Sequence, residues 1–428
     1  MHSIDLDLNI DALSKIEGHG QLDLKVRNGR VEQLRFKIVE NKRFYTKAIE
    51  GKSFRAAPSL MSRICGTCSI AHLLCCIKSI EKSLDYEPSE QIKILRKLLM
   101  YGLMIRDHAL HLYFFSLPDV FNKDSVLEFD PNIPEEHEMI HQAFAVKSAG
   151  NNLSKLIGGK AVHAPFPMVG GFTKIPDKES INKVLEELTS VRPYIFNLMK
   201  IFEEWKYNLE RHTTFVAQRS KDYSFMDGTI CTTKRDCIKE PEYQDYLERV
   251  VIPYSTATGF KYKEGGYFVG ALARLNLNKS ALHTNTTKDA QNYLKWFPSN
   301  NVFDNNLAQA IEILHSIDHG TELLKTDFKP EKLSMIKPKK GSGVGVIEAP
   351  RGTLYYKVDI NETGTITHAD VIVPTQQNQI NIEADIRQFV EQNLNMDKEQ
   401  LSLEIEKIIR AYDPCMSCAT HFLKINWL

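Results

Sequence analysis

Cysteine is the residue type best placed to do chemistry in this sequence. There are eight: Cys65, Cys68, Cys75, Cys76, Cys231, Cys237, Cys415 and Cys418. Four of them make two C-x-x-C pairs, Cys65/Cys68 and Cys415/Cys418, near opposite ends of the chain. Two thiolates at this spacing can reach one ion from a tight turn. Two such pairs offer four soft sulfur ligands, which suits zinc, iron–sulfur, or nickel with iron. Small zinc modules keep their pairs within about 15–20 residues, because the metal itself nucleates the fold. Here a large fold must bring the pairs together. Structural zinc, metal catalysis and unrelated thiols all remain open on spacing alone. The first pair lies in MSRICGTCSIAH, where Gly66 is expected to relieve crowding between ligands. Cys75 and Cys76 are adjacent, cannot both face one metal, and read as helix packing residues. Cys231 and Cys237 read as structural, or as residues at a partner surface.

The elements that must position these residues belong to a chain of 428 residues, with 43% hydrophobic and 25% charged. This is ordinary globular composition. The 54 Lys+Arg balance the 54 Asp+Glu, which argues against a nucleic-acid partner, since phosphate neutralisation needs a basic excess. No stretch reaches the ~18 uninterrupted apolar residues of a membrane span. The segment MHSIDLDLNI lacks the basic and apolar regions of a signal peptide, and the C-x-x-C pairs point to metal or redox chemistry rather than disulfides. A cytoplasmic location is expected, with export on a partner subunit's signal as the alternative. No repeat, low-complexity tract or linker divides the chain, so a single intertwined domain over 1–428 is expected.

QLDLKV and VEQLRFKIV alternate apolar and polar residues around Asn28-Gly29, a hairpin signature. Helical periodicity predicts helices over Glu90–Phe115, Glu135–Ile157, Glu179–His212 and Asn305–Leu324, with a last one over Lys398–Arg410. Pro118 stops the first. VHAPFPMVGGF is a loop, and 218–268 shows no clear period. A second β piece, GVGVIEAPRGTLYYKVDINETGTITHADVIVPT, turns at Asn361–Gly364. The fold class is therefore mainly α with small β pieces at both ends, α+β.

RICGTC at Arg63–Cys68 and DPCMSCATH at Asp413–His421 together resemble the two signatures of the nickel–iron hydrogenase large (catalytic) subunit. KIEGHG at Lys15–Gly20, RDHALHLYFF at Arg106–Phe115, EAPRG at Glu348–Gly352 and VPT at Val373–Thr375 resemble further motifs of that family. The resemblance spans nearly the whole chain and is closest in length and wording to cytoplasmic members linked to NAD(P) or sulfur. It implies the large-subunit fold and reversible heterolytic cleavage of H2. The implied centre is nickel with iron, the iron carrying carbonyl and cyanide. Cys65 and Cys415 would be terminal nickel ligands, and Cys68 and Cys418 bridges to iron. The proton acceptor would be the Cys415 thiolate or the neutral fraction of Arg351, which would hang over the open site held by Asp107 and Asp413, and Glu17 would relay the proton from Cys415. Pro374 and Thr375 would border the cofactor, the Thr375 hydroxyl donating to a cyanide, while His72 would donate to a bridging sulfur. A magnesium-like ion would be held by His421 and the Val371 carbonyl, but Thr46 stands where the family has a Glu ligand, with Glu50 nearby. The tail 422–428 would be removed by a maturation protease once nickel-loading proteins have acted. An iron–sulfur small subunit would take the electrons, with diaphorase-type NAD(P) or flavin subunits beyond it and NAD(P)+, ferredoxin or sulfur as the final acceptor. The competing readings are a hydrogen sensor with the same site, a degenerate relative among respiratory quinone oxidoreductase subunits, and a protein with zinc held by the four cysteines.

Overall fold

The structure is a computed structural model that describes residues 5–41, 43–263, 265–333 and 335–420. The chain opens with an antiparallel sheet of β1 (Leu6–Ile10), β2 (Gly20–Arg27) and β3 (Arg30–Ile38), in that order. Asn28 (φ 51°) and Gly29 (φ 74°) are both left-handed, the conformation a two-residue hairpin requires. Leu22, Leu24, Val26, Phe36 and Ile38 are fully buried on its inner face.

Four long helices follow: α1 (Ser69–Ser83), α2 (Glu90–Ala109), α3 (Pro134–Gly158) and α4 (Lys178–Glu204). α2 runs into a π-helical stretch, Leu110–Ser116, and ends past Pro118 in a short helix at Leu117–Val120. α4 stops at Glu204 rather than His212, and the chain returns in extended form.

The segment without periodicity is β structure. A sheet with the order β9-β4-β5-β6 is built from β4 (Thr214–Arg219), β5 (Thr229–Thr232), β6 (Cys237–Ile238) and, after the hairpin β7 (Leu247–Val251) and β8 (Thr258–Tyr262), β9 (Tyr267–Phe268). The α+β class holds, and this middle sheet adds to the β pieces expected at the two ends. Its strands are short, and four of the six residues of TFVAQR are apolar or small and all but the last are buried, so alternation is absent. Cys231 and Cys237 face each other across β5 and β6 and are joined by a disulfide, a pairing the spacing did not announce.

Then come α5 (Ala271–Asn278), α6 (Asp304–Leu323), and the C-terminal sheet β10 (Gly341–Ala349), β11 (Gly352–Ile360) and β12 (Ile366–Ile372), before α7 (Pro374–Gln392) and α8 (Lys398–Ala411). Two packing arrangements matter for the site. First, α1 lies directly on β10 along the stripe Gly341, Gly343 and Gly345. A Cβ at Gly343 would stand 2.1 Å from the Ser79 carbonyl oxygen, and one at Gly345 2.7 Å from the Ser79 nitrogen, so only glycine permits the approach. Second, α7 is buried through amides rather than hydrocarbon. Gln377 donates to the Thr353 carbonyl at 2.7 Å, Asn378 to Val269 at 2.9 Å and Gln379 to Phe36 at 3.1 Å. One helix thus ties the three larger sheets together, and its polar inner face hid it from the apolar-period test.

Candidate metal centre

Cys65 follows the short 3-10 turn Ser62–Ile64, and Cys68 is the residue that starts α1. The glycine stripe fixes where α1 lies, and Cys75 adds weak bonds from its thiol to the carbonyls of Gly345 and Leu354. The second pair follows α8 and is tied to the start of α7. Asp413 (φ 51°) turns the chain out of α8. The Cys415 N–H then donates to Thr375 Oγ1 at 2.9 Å, and Gln376 donates to the Ala419 carbonyl at 2.9 Å. Met416 N–H donates to the Glu17 carbonyl at 2.9 Å, which stitches the N-terminal segment to the same loop.

All four Sγ atoms come within 4.8 Å of one another, and all four cysteines are buried. Cys65 faces Cys415 at 3.4 Å, Cys68 faces Cys418 at 2.8 Å, and Cys415 lies 2.9 Å from Cys418. Four buried sulfurs so close cannot all ionise unaided. Hydrogen bonds from Cys415, Cys418 and Cys68 hold Cys65 well below the ordinary thiol range. Burial, with the neighbouring sulfurs, pushes Cys415 and Cys418 well above it. A soft cation removes this conflict by displacing the protons.

Around the sulfurs lies a polar collar. The carboxylate of Glu17 is 2.9 Å from Cys415 Sγ and accepts the Ser417 N–H at 3.1 Å. Burial, and next the charge at Cys65, raise its pKa. Arg351 Nη1 donates to Asp107 Oδ2 at 2.7 Å, and its Nη2 sits 3.0 Å from Asp413 Oδ1 as an ion pair without hydrogen-bond alignment. Burial works against its charge, but Asp107 and Asp413 outweigh it and hold the guanidinium well above its ordinary pKa. Arg351 Nε and Asp107 Oδ1 are buried without a hydrogen-bond partner among the described residues. Such orphaned atoms beside a thiol cluster fit a site that receives another polar group. His72 lies in α1, with Nδ1 2.7 Å from the Tyr356 hydroxyl; burial lowers its pKa to about 4, so the ring is neutral at pH 7.

The residues singled out from the sequence are thus assembled from both ends of the chain: the four cysteines, Glu17, Asp107, Arg351, Thr375 and Asp413. Pro374 opens α7 beside Thr375, and Val371 is buried in β12 opposite Tyr356. Thr46 is buried in the short helix Tyr45–Ile49, while Glu50 is engaged by Lys47 at 2.8 Å. His421 and the tail lie outside the described residues. One steric expectation is corrected: a Cβ at Gly66 would meet nothing within 4 Å, so crowding does not require glycine there.

Several contributors escaped the sequence reading. Gln309 donates to Asp413 Oδ2 at 2.9 Å, and its oxygen lies 2.6 Å from His111 Nδ1. Tyr356 partners His72, and Ser417 and Gln376 hold the C-terminal loop. A signal existed for Gln309: it and Glu312 interrupt the apolar run LAQAIEIL one helical step apart, and polar residues on a buried helix face need partners.

Comparison with known proteins agrees with this geometry. The family model described as nickel-dependent hydrogenase matches residues 43–142 and 218–421. The chain is 32% identical to sulfhydrogenase 1 subunit alpha of Pyrococcus furiosus, over 99% of this chain and 100% of that one. It is 28% identical to NAD-reducing hydrogenase HoxS subunit beta of Cupriavidus necator, over 97% and 95%. Its fold matches that of an NAD+-reducing [NiFe]-hydrogenase in the H2-reduced state, with a TM-score of 0.86 at 24% identity, over 97% of this chain and 99% of that one.

Proposed function

Because the chain belongs to the nickel-dependent hydrogenase family, and is the catalytic subunit of an enzyme that acts on H2, we propose how its own residues serve that reaction. Cys65, Cys68, Cys415 and Cys418 would together hold nickel and an iron that carries carbonyl and cyanide. When bound, that group supplies the Lewis acidity that splits H2 heterolytically. The chain must then receive one proton.

Glu17 takes it, by way of the Cys415 sulfur. The observation that carries this reading is the 2.9 Å contact between Cys415 Sγ and Glu17 Oε2, within the reach required of a proton-transfer pair. A carboxylate with a raised pKa both accepts and releases a proton near neutral pH. Arg351 is no base here, since two carboxylates keep it charged; it serves as a fixed positive post beside the open position. Thr375 uses its oxygen to accept the Cys415 N–H, which leaves its hydroxyl hydrogen free for a cyanide nitrogen. Neutral His72 donates to a bridging sulfur if its Nδ1 accepts from Tyr356. The Val371 carbonyl and His421 would share a magnesium-like ion, for which Thr46 is a weak hard-cation partner.

Electrons leave to an iron–sulfur small subunit. The acceptor is NAD(P)+, ferredoxin or sulfur, reached through further subunits of diaphorase type. The names of the NAD-reducing and sulfhydrogenase relatives support NAD+ and sulfur, and a cytoplasmic location goes with that chemistry. Among the described residues no helix is long and apolar enough to cross a membrane. The test is Glu17→Gln in the purified complex. We expect nickel content unchanged and H2 uptake with a redox dye lowered by about 10²–10⁴-fold, the usual worth of a positioned acid–base group. Full activity would remove Glu17 from the proton path.

A further inference from the structure

We infer that Arg274, in α5, is a positioning residue that sets the direction of Arg351 by holding the backbone immediately before it; this rests on the reading of Arg351 as the charged post. Arg351 projects from the two-residue turn Pro350–Arg351 that joins β10 to β11, Ala349 pairing with Gly352. That turn is poorly suited to a tight hairpin. Pro350 fixes φ near about −65°, which excludes both primed turns, and Arg351 is not left-handed, which excludes type II. The remaining geometry splays the flanking strands. Gly352 absorbs part of the mismatch with φ 131°, where a Cβ would strike Val269.

External contacts supply the rest, and they converge on one guanidinium. Arg274 Nη1 donates to the Ala349 carbonyl at 3.0 Å and to Glu348 Oε2 at 3.1 Å, and Nη2 donates to the Pro350 carbonyl at 2.9 Å. Its other edge is anchored on Glu312, with Nε at 2.6 Å and Nη2 at 2.7 Å. Glu312 is itself held by the Tyr223 hydroxyl at 2.8 Å and faces His108 Nε2 at 2.9 Å. Glu348 accepts from Thr353 and from the Gln218 N–H on the other side of the hairpin. Arg274 and Glu312 are buried on helices of the core, so the clamp is rigid. Asp107 and Asp413 fix Arg351 at its tip, and Arg274 fixes it at its root. A planar fork can meet two carbonyls and two carboxylates at once, and an ammonium cannot.

The test is Arg274→Lys in the intact complex, followed by hydrogen–deuterium exchange, nickel analysis and H2-uptake kinetics. Nickel content stays at the wild-type level, exchange rises about 10-fold or more in the peptide spanning 349–353 and not elsewhere, and kcat falls about 10-fold or more with KM for H2 unchanged, as expected from misplacing a group by a fraction of an ångström. Unchanged exchange at 349–353, or exchange raised across the whole chain, overturns the inference. If the Lys variant does not fold, Arg274→Met with Glu312→Met and Glu348→Gln removes all three charges of the buried cluster together and strands none of them; the same local rise is required of it. Arg351→Lys runs in parallel. If it keeps full activity, the post reading of Arg351 fails, while the exchange result still judges the clamp.

Discussion

The sharpest structural test of how the two cysteine pairs are brought together is Gly343→Ala. The added methyl would sit 2.1 Å from the Ser79 carbonyl oxygen and 2.3 Å from the Ser83 nitrogen. Both are backbone atoms of α1, so no side-chain rotation relieves the clash. Restoring an ordinary carbon–oxygen contact requires α1 to lift from β10 by about 1 Å, and overpacking of this kind costs about 1–3 kcal/mol, with backbone clashes at the upper end. The clash lies in the last turns of α1, about 16–22 Å along the axis from Cys68 at about 1.5 Å per residue. The lift therefore reaches the site as a tilt of the whole helix, which Cys68 starts at a point 2.8 Å from Cys418. A displacement of about 1 Å at reacting groups costs about 10²-fold in rate. The assay is thermal unfolding, nickel content and dye-linked H2 uptake, with Gly66→Ala as control, since its Cβ meets nothing within 4 Å. We expect Gly343→Ala to melt several degrees lower and lose most of its nickel or activity, and the control to match wild type. A Gly343→Ala protein with wild-type melting and activity would refute the claim that the glycine stripe sets the height of α1.

Two further outcomes follow from the buried charges and the disulfide. Burial alone would raise Glu312, but the Arg274 charge and hydrogen bonds outweigh it and hold its pKa down to about 2. Its stabilisation is therefore present above the ordinary carboxylate value and is lost as pH falls toward about 2. Glu312→Gln should destabilise the protein by about 3–5 kcal/mol at pH 7, the cost of breaking a buried pair, and denaturant melts should show that gap closing below about pH 4; a gap independent of pH would contradict the assignment. Cys237 is the exposed partner of the Cys231–Cys237 disulfide, while the other cysteines are buried. Mild reduction of the folded complex followed by alkylation should label Cys237 first by mass spectrometry, and prior labelling of Cys75 or Cys76 would contradict the packing described.

Much of the site was legible because its chemistry is concentrated in short motifs. The two C-x-x-C pairs carry their meaning in residue type and spacing. The Glu, the two Asp and the Arg read as ordinary surface or ion-pair residues by type and stand out only through the motif resemblance, and the structure gathers them. The N-terminal hairpin was legible for a local reason: Asn28-Gly29 dictates its own turn. The long helices were legible through period, though the Pro-free run after Glu204 shows that periodicity alone cannot locate an end. What was hidden depended on tertiary context. α7 is buried through Gln376, Gln377, Asn378, Gln379 and Asn381, a face that reads as solvent-exposed until its carbonyl partners from three sheets are known. Short strands such as Tyr267–Phe268 carry no period. Gln309 and Arg274 act only through residues far away in sequence, so no local pattern reveals them.

The central claim is that the four buried sulfurs hold one nickel–iron centre. Infrared spectroscopy of the anaerobically purified complex, read beside its metal content, tests this most directly. The account predicts nickel and iron together with absorption bands of metal-bound carbonyl and cyanide. Zinc bound to the four cysteines, with neither band present, would contradict it.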